Sequence, residues 1–291
     1  MMTVLLLLLA HLIADFWLQT DKMVKHKIKH LKKHFLHHLF TTGIALAIVW
    51  GYYYEFRNMV EYFIFPLLFI CVSHLFIDLL KIKLVDSIKR STNDSLKKLG
   101  FFLFDQLLHI AMLLSTCIIF FHMEVVVMTT SILELFGTSK LDPLNALLLL
   151  IIIFILATSV SGHIVKFIVG SLPSEFANFE GELTLKNQII AAKEKAQPNM
   201  ENSFTEEYHY FTYTTPLRSR GNLIGYIERL LVILLTMIGA YPSIAFIIAA
   251  KSIARFKQLD DRNWAEYFLL GTLSSIFLGL LLGLVAQRLI M

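Results

Sequence analysis

The stretch HLIADFWLQTDK, residues 11–22, sets His11, Asp15 and Gln19 at i, i+4 and i+8. In an α-helix that spacing lines the three polar side chains along one face. The stretch follows MMTVLLLLLA, a run suited to hydrocarbon, where a carboxylate costs roughly 2.5–3.5 kcal/mol to insert. SHLFIDLLK repeats the device with His74, Asp78 and Lys81, and FDQLLH repeats it with Asp105, Gln106 and His109. HFLHH adds His34, His37 and His38. Neutral imidazole and carboxylate together suit zinc, manganese or iron. Two such residues four apart on a helix can reach one ion, as in helical H-E-x-x-H sites. The expected metal ligands are His11, Asp15, His38, His74, Asp78, Asp105 and His109. A divalent ion among them would offset the buried carboxylates and lower the pKa of a bound water to about 7, producing a nucleophile. Gln19, Lys81 and Gln106 are then the candidate catalytic residues, orienting substrate or stabilising developing negative charge.

The elements that must position these residues are membrane helices. The chain is 56% hydrophobic and 16% charged, with a mean hydropathy of +0.66, whereas a soluble domain carries about a quarter charged residues. Eight apolar segments, about 2–20, 35–54, 60–83, 100–122, 144–170, 222–240, 242–257 and 265–286, approach or exceed the ~20 residues that span a bilayer. The expected fold is therefore all-α, a polytopic membrane protein of about eight transmembrane helices. A five-span region over 1–170 carries the His/Asp cluster; a polar loop over 171–221 separates it from a three-span region over 222–291. The apolar segment 125–136 is too short to cross and is expected at the interface. The N-terminus lacks the basic region and small-residue site of a cleavable signal peptide. Cys71 and Cys117 lie within apolar segments and read as buried small hydrophobes.

Lysine and arginine orient the bundle. Loop 21–33 holds six lysines and segment 81–98 holds six basic residues, while 55–58 offers only Arg57 and 123–143 only Lys140. The positive-inside rule puts both basic loops in the cytoplasm of a multi-pass cell (inner) membrane protein, with the N-terminus outside. The net charge of +4 follows from this orientation and needs no nucleic-acid partner. Spans running in alternating directions then bring their His and Asp residues to one inner half of the bilayer. The outer halves of the first four spans are almost purely aliphatic and aromatic.

Each feature taken singly has a plainer explanation. A lone membrane histidine more often hydrogen-bonds a neighbouring helix than binds a metal, and one H-x3-D pair suffices to hold two helices together. His26 and His30 among the lysines fit a basic surface facing anionic lipid, and His34, His37 and His38 fit an interfacial turn. Three His–Asp pairs at helical spacing and at one depth exceed what helix association needs. In the C-terminal part, Glu228 and Arg229 are adjacent and point in different directions; one of them is expected to face inward and complete or cover the His/Asp site. Asp261, Arg262 and Glu266 read as ion pairs at a helix end.

The N-terminal 120 residues resemble an uncharacterised bacterial integral-membrane family, a domain of unknown function, through HLIADFWLQT, HFLHH, HLFIDLLK and DQLLH. GNLIGYIER, AAKSIARF and AEYFLLGT look like its longer members. The resemblance implies a helical membrane protein and no particular activity. A fainter similarity links the scattered His and Asp to membrane-bound metal-dependent hydrolases, whose H-R-G-x-T-H-S string is absent.

Three functions fit these residues. One is a metal-dependent hydrolase or phosphotransferase acting on a lipid or phosphate ester at the cytoplasmic face, with the basic loops drawing anions in. Another is a transporter with a His/Asp proton or metal-ion relay. The last is a non-catalytic sensor or scaffold, with 171–221 docking a cytoplasmic protein. Transport needs polar groups continuing to the outer face, and the outer halves of spans one to four offer almost none.

Overall fold

A computed structural model describes residues 1–89, 95–134, 141–170, 218–260, 262–287 and 289. The loop expected to dock a partner, and Asp261, lie outside the described residues, apart from the last turns that enter the sixth expected span. Among the described residues every regular element is helical. The helices are α1 (Met2–Leu12), α2 (Asp21–Lys25), α3 (Lys27–Tyr54), α4 (Phe65–Lys89), α5 (Ser95–Phe121), α6 (Val125–Glu134), α7 (Pro143–Ile155), α8 (Ser161–Val169), α9 (Arg218–Met237), α10 (Tyr241–Ala254) and α11 (Arg262–Gln287). Single π-helical turns extend α1 (Ile13–Trp17), precede α4 (Val60–Ile64) and join α7 to α8 (Leu156–Val160).

A helix occupies each of the expected spans, and five are long and apolar enough to cross a membrane: Lys27–Tyr54, Val60–Lys83, Leu96–Phe121, Pro143–Val169 and Trp264–Gln287. Among the described residues, five of the eight expected spans meet that length and composition. Met2–Trp17 and Tyr241–Ala254 are apolar but shorter, and α9 opens on the polar string RSRGN. Rows of large apolar side chains face outward, including Phe76, Phe246, Ile253 and Phe277. That pattern suits lipid, where the backbone must be satisfied within the helix and side chains need not be polar. Cys71 and Cys117 are free and buried.

Turn chemistry sets the levels of the helices. Between α3 and α4 the chain reverses through Glu55, Phe56 and Asn58, all in the left-handed region. Trp50 Nε1 donates to the Arg57 carbonyl at 2.6 Å, and the Phe56 ring folds over Gly51, where a Cβ would meet it at 2.7 Å. This tight reversal makes α3 and α4 antiparallel neighbours. At 1.5 Å rise per residue, His38 and His74 then lie roughly 24 Å and roughly 21 Å from the turn, at nearly one level. α7 begins at Pro143, and Asp142 caps it by accepting from the Leu144 N–H at 3.2 Å.

The half of the bundle nearest this turn is packed with Leu5, Leu6 and Leu7 of α1, Leu46 and Val49 of α3, Ile70 of α4, Leu113 and Cys117 of α5 and Ile152 of α7. The C-terminal helices pack on α7 and α8 through Leu149, Ile153, Ala157, Ile233 and Ala286. α9 and α11 approach closely: a Cβ on Gly279 would lie 2.9 Å from Val232 Cγ1, and one on Gly283 would lie 2.6 Å from Thr236 Cβ. Small residues at a helix crossing are the usual means of such approach in lipid.

Candidate metal centre

The apolar packing gives way at one level to polar residues from α1, α3, α4 and α5. Asp15 sits in the π-turn after α1, where the Leu18 N–H reaches back to the Ile13 carbonyl at 3.0 Å. Single π-turns recur at functional sites. Four imidazoles surround its carboxylate: His38 Nε2 at 2.9 Å, His34 Nε2 at 3.3 Å and His74 Nε2 at 3.7 Å from Oδ1, and His11 Nε2 at 3.7 Å from Oδ2. Asp78 lies one layer further along α4. Its Oδ2 is 3.3 Å from His34 Nε2 and 3.9 Å from His74 Nδ1, and its Oδ1 is 3.4 Å from Lys27 Nζ. Asp105 on α5 is ion-paired through Oδ2 with Lys81, and Gln106 Nε2 donates to the same oxygen at 3.3 Å. His109 packs its ring 4.4 Å from His74 and 4.9 Å from His11.

These groups fit a divalent metal. Donor atoms set tetrahedrally at 2.0–2.1 Å around an ion stand about 3.4 Å apart, and the Asp15–imidazole separations of 2.9 to 3.7 Å bracket that value. His11, Asp15, His38 and His74 offer atoms within 4.8 Å of one another; so do His34, His74 and Asp78, and so do Asp78, Asp105 and His109. His11, His34, His38, His74, Asp78, Asp105 and His109 are all buried. Yet both ring nitrogens of His11, Nε2 of His74, Nε2 of His109 and Oδ1 of Asp105 have no hydrogen-bond partner. Buried polar atoms are nearly always satisfied, so a set of orphans converging on one place calls for a ligand. His109 is oriented for that role. Its Nδ1 lies 2.8 Å from the Asp105 carbonyl, which can only accept, so Nδ1 carries the proton and Nε2 keeps its lone pair.

All seven expected ligands thus fall in one cluster, six of them buried and Asp15 partly so, and His34 joins them. His34 and His38 are four apart on α3, the same spacing that singled out the other pairs, whereas His37 falls between them and outside the ion pairs of the cluster. Of the expected catalytic residues, Lys81 and Gln106 both hold Asp105 Oδ2. Gln19 follows the end of the π-turn, so the helical face does not continue to it. It lines a small cleft with Met23, Lys27, His30, Leu31, His34 and Asp78. Lys27, one of the six lysines of the basic loop, was legible only as surface charge; its reach to Asp78 is a tertiary fact.

The C-terminal pair behaves otherwise than expected. Arg229 does turn inward, but it clamps the α7–α8 π-turn: Nε donates to the Ala157 carbonyl at 2.5 Å, Nη2 to the Thr158 carbonyl at 3.4 Å and Nη1 to Ser275 Oγ at 3.2 Å. A π-turn shifts the register of backbone bonds and leaves carbonyls open to such a donor. Glu228 pairs with Lys251 at 2.7 Å. His163 stacks among Phe16 and Phe102 beside the cluster. Arg262 and Glu266 form the expected helix-end ion pair at 3.0 Å.

No curated protein and no solved structure matches the chain. The family described as "Protein of unknown function (DUF3307)" matches residues 3–141, a segment that contains every member of the His/Asp cluster. Five helices are long and apolar enough to cross a membrane, and the match to the DUF3307 family spans just under half of the chain, residues 3–141.

Proposed function

We propose that the His/Asp cluster binds a divalent cation, zinc, manganese or iron, and forms the centre of a metal-dependent hydrolase or phosphotransferase. Its substrate is a lipid or phosphate ester reached from the cytoplasmic side of the cell membrane. The observation that carries this reading is the convergence of buried, unpartnered imidazole nitrogens on carboxylates from three helices. A divalent cation there supplies a lowered water pKa and polarises a phosphoryl oxygen. The chain's own residues do the rest. Asp15 gathers the imidazoles, and Lys81 and Gln106 fix Asp105 in one orientation. Lys27 and Gln19, which line the cleft beside Asp78, hold the anionic group of the substrate.

An enzyme is favoured over a transporter by the packing beyond the cluster. Leu7, Leu46, Val49, Leu113 and Cys117 fill the other half of the bundle, so the polar region is a dead end. The outward apolar faces are the surface that meets membrane lipid.

The first test is elemental analysis of the detergent-purified full chain beside His74→Ala and Asp78→Ala. Near-stoichiometric metal, lost in both variants that still fold, supports the reading and directs a screen of phosphate esters and lipids. Metal absent from every sample, after purification without chelator and with each metal supplied, overturns it.

A further inference from the structure

We infer that the centre takes two divalent cations, one on His11, Asp15, His38 and His74 and the other on Asp78, Asp105 and His109. This rests on the metal-binding reading above and makes it more specific. The two sets share no residue, and within each the donor atoms lie within 4.8 Å of one another. Seven donors exceed what one ion accepts from imidazole and carboxylate; zinc takes four and rarely five. Adjacency of the sets follows from the His74 and His109 rings, 4.4 Å apart. Between them stands His34, whose Nε2 is 3.3 Å from Asp15 Oδ1 and 3.3 Å from Asp78 Oδ2.

Each set holds unpartnered atoms of its own, beside Nδ1 of the bridging His34. His11 and His74 Nε2 belong to the first set, and Asp105 Oδ1 and His109 Nε2 to the second. One ion on the first set alone would leave the second pair buried and unsatisfied, and the converse holds equally. Each set also has its own supporting contacts. Asp78 faces Nδ1 of His74, which directs Nε2 toward Asp15. Lys81 and Gln106 occupy Oδ2 of Asp105 and leave Oδ1, while the Asp105 carbonyl takes the Nδ1 proton of His109. Ions 3.5–4 Å apart, as such paired sites hold them, would clamp the attacking and the leaving oxygen of a displacement.

Charge agrees. Three carboxylates, Asp15, Asp78 and Asp105, meet only two ammonium groups, Lys27 and Lys81, in the described ion pairs. With those two ammonium groups, two dications bring the sum to +3, so the loaded centre attracts an anionic phosphoryl group.

The test uses the full chain in detergent, stripped of metal and titrated with Mn²⁺, then separately with Zn²⁺ and Fe²⁺. Elemental analysis is expected to give two equivalents, and the Mn²⁺ form a spin-coupled pair by electron paramagnetic resonance. His38→Gln and His109→Gln, each in one set only, are expected to keep one equivalent and show an uncoupled ion. One equivalent in the unaltered chain with an uncoupled signal overturns the two-ion inference and leaves a single-metal centre. No equivalents with any of the metals overturns the metal reading itself. Stoichiometry and coupling of the unaltered chain decide the matter even where a variant fails to fold.

Discussion

Nε2 of His38 stands 2.9 Å from Oδ1 of Asp15, tying the middle of α3 to the π-turn at the end of α1. The same carboxylate faces His11, His34 and His74, so three helices meet on one pair of oxygens. Asp15→Ala is therefore expected to lower metal affinity by more than the 10–100-fold typical of outer-shell partners. Metal at about 100 times its dissociation constant stabilises the unaltered protein by about 2.7 kcal/mol. Thermal melting in detergent, with and without metal, should show that increment in the unaltered chain and none in Asp15→Ala.

His34 and His37 are close in sequence and differ in role. His34 bridges Asp15 and Asp78, while His37 joins neither carboxylate in the described ion pairs. Elemental analysis should find bound metal reduced in His34→Ala and unchanged in His37→Ala. Equal loss in both would show that the α3 register is misassigned.

Lys81 neutralises Asp105, whose side chain is 4% exposed. In metal-free protein Lys81→Met leaves a buried carboxylate held, among the described residues, by Gln106 and by His109 at 3.8 Å, at a cost of about 3 kcal/mol. Adding Asp105→Asn should restore part of that stability while metal binding stays impaired. Chemical or thermal unfolding separates the two effects from metal content.

Arg229 is 3% exposed and donates to two carbonyls of the α7–α8 π-turn and to Ser275. Arg229→Met strands those acceptors, each worth about 1–3 kcal/mol when buried and unsatisfied. Arg229→Lys should recover little, because an ammonium lacks the planar fork that reaches several acceptors at once. Both variants should melt earlier in detergent.

Gly283 lies against Thr236 where α9 crosses α11, with 2.6 Å from an added Cβ to the threonine Cβ. Backbone-linked atoms at that distance cannot swing away, so Gly283→Ala forces the helices apart at about 1–3 kcal/mol. Gly279→Ala meets the more adjustable Val232 side chain and should cost less. Comparative melting of the two variants checks the order.

What the amino-acid sequence determined by itself is whatever depends on neighbours along the chain. Apolar runs long enough for hydrocarbon marked the helices, and the spacing of four that pairs His11 with Asp15, His74 with Asp78 and Asp105 with His109 needs only the helical period. Even the shared level was legible, since helices joined by short turns keep a common register. Other features required the packed bundle. His34 differs from His37 only in which way α3 rotates against α1 and α4, and rotation is set by packing, not by period. Lys27 left the basic surface for Asp78 because the start of α3 packs beside α4, where both residues line one cleft. Arg229 found open carbonyls because a π-turn interrupts α7 and α8, and a π-turn has no local signature in LATSV. The grouping of these residues into three overlapping donor clusters is likewise a matter of interhelical distance. Local spacing can say that a residue faces inward; only the relative placement of helices says which partner it meets.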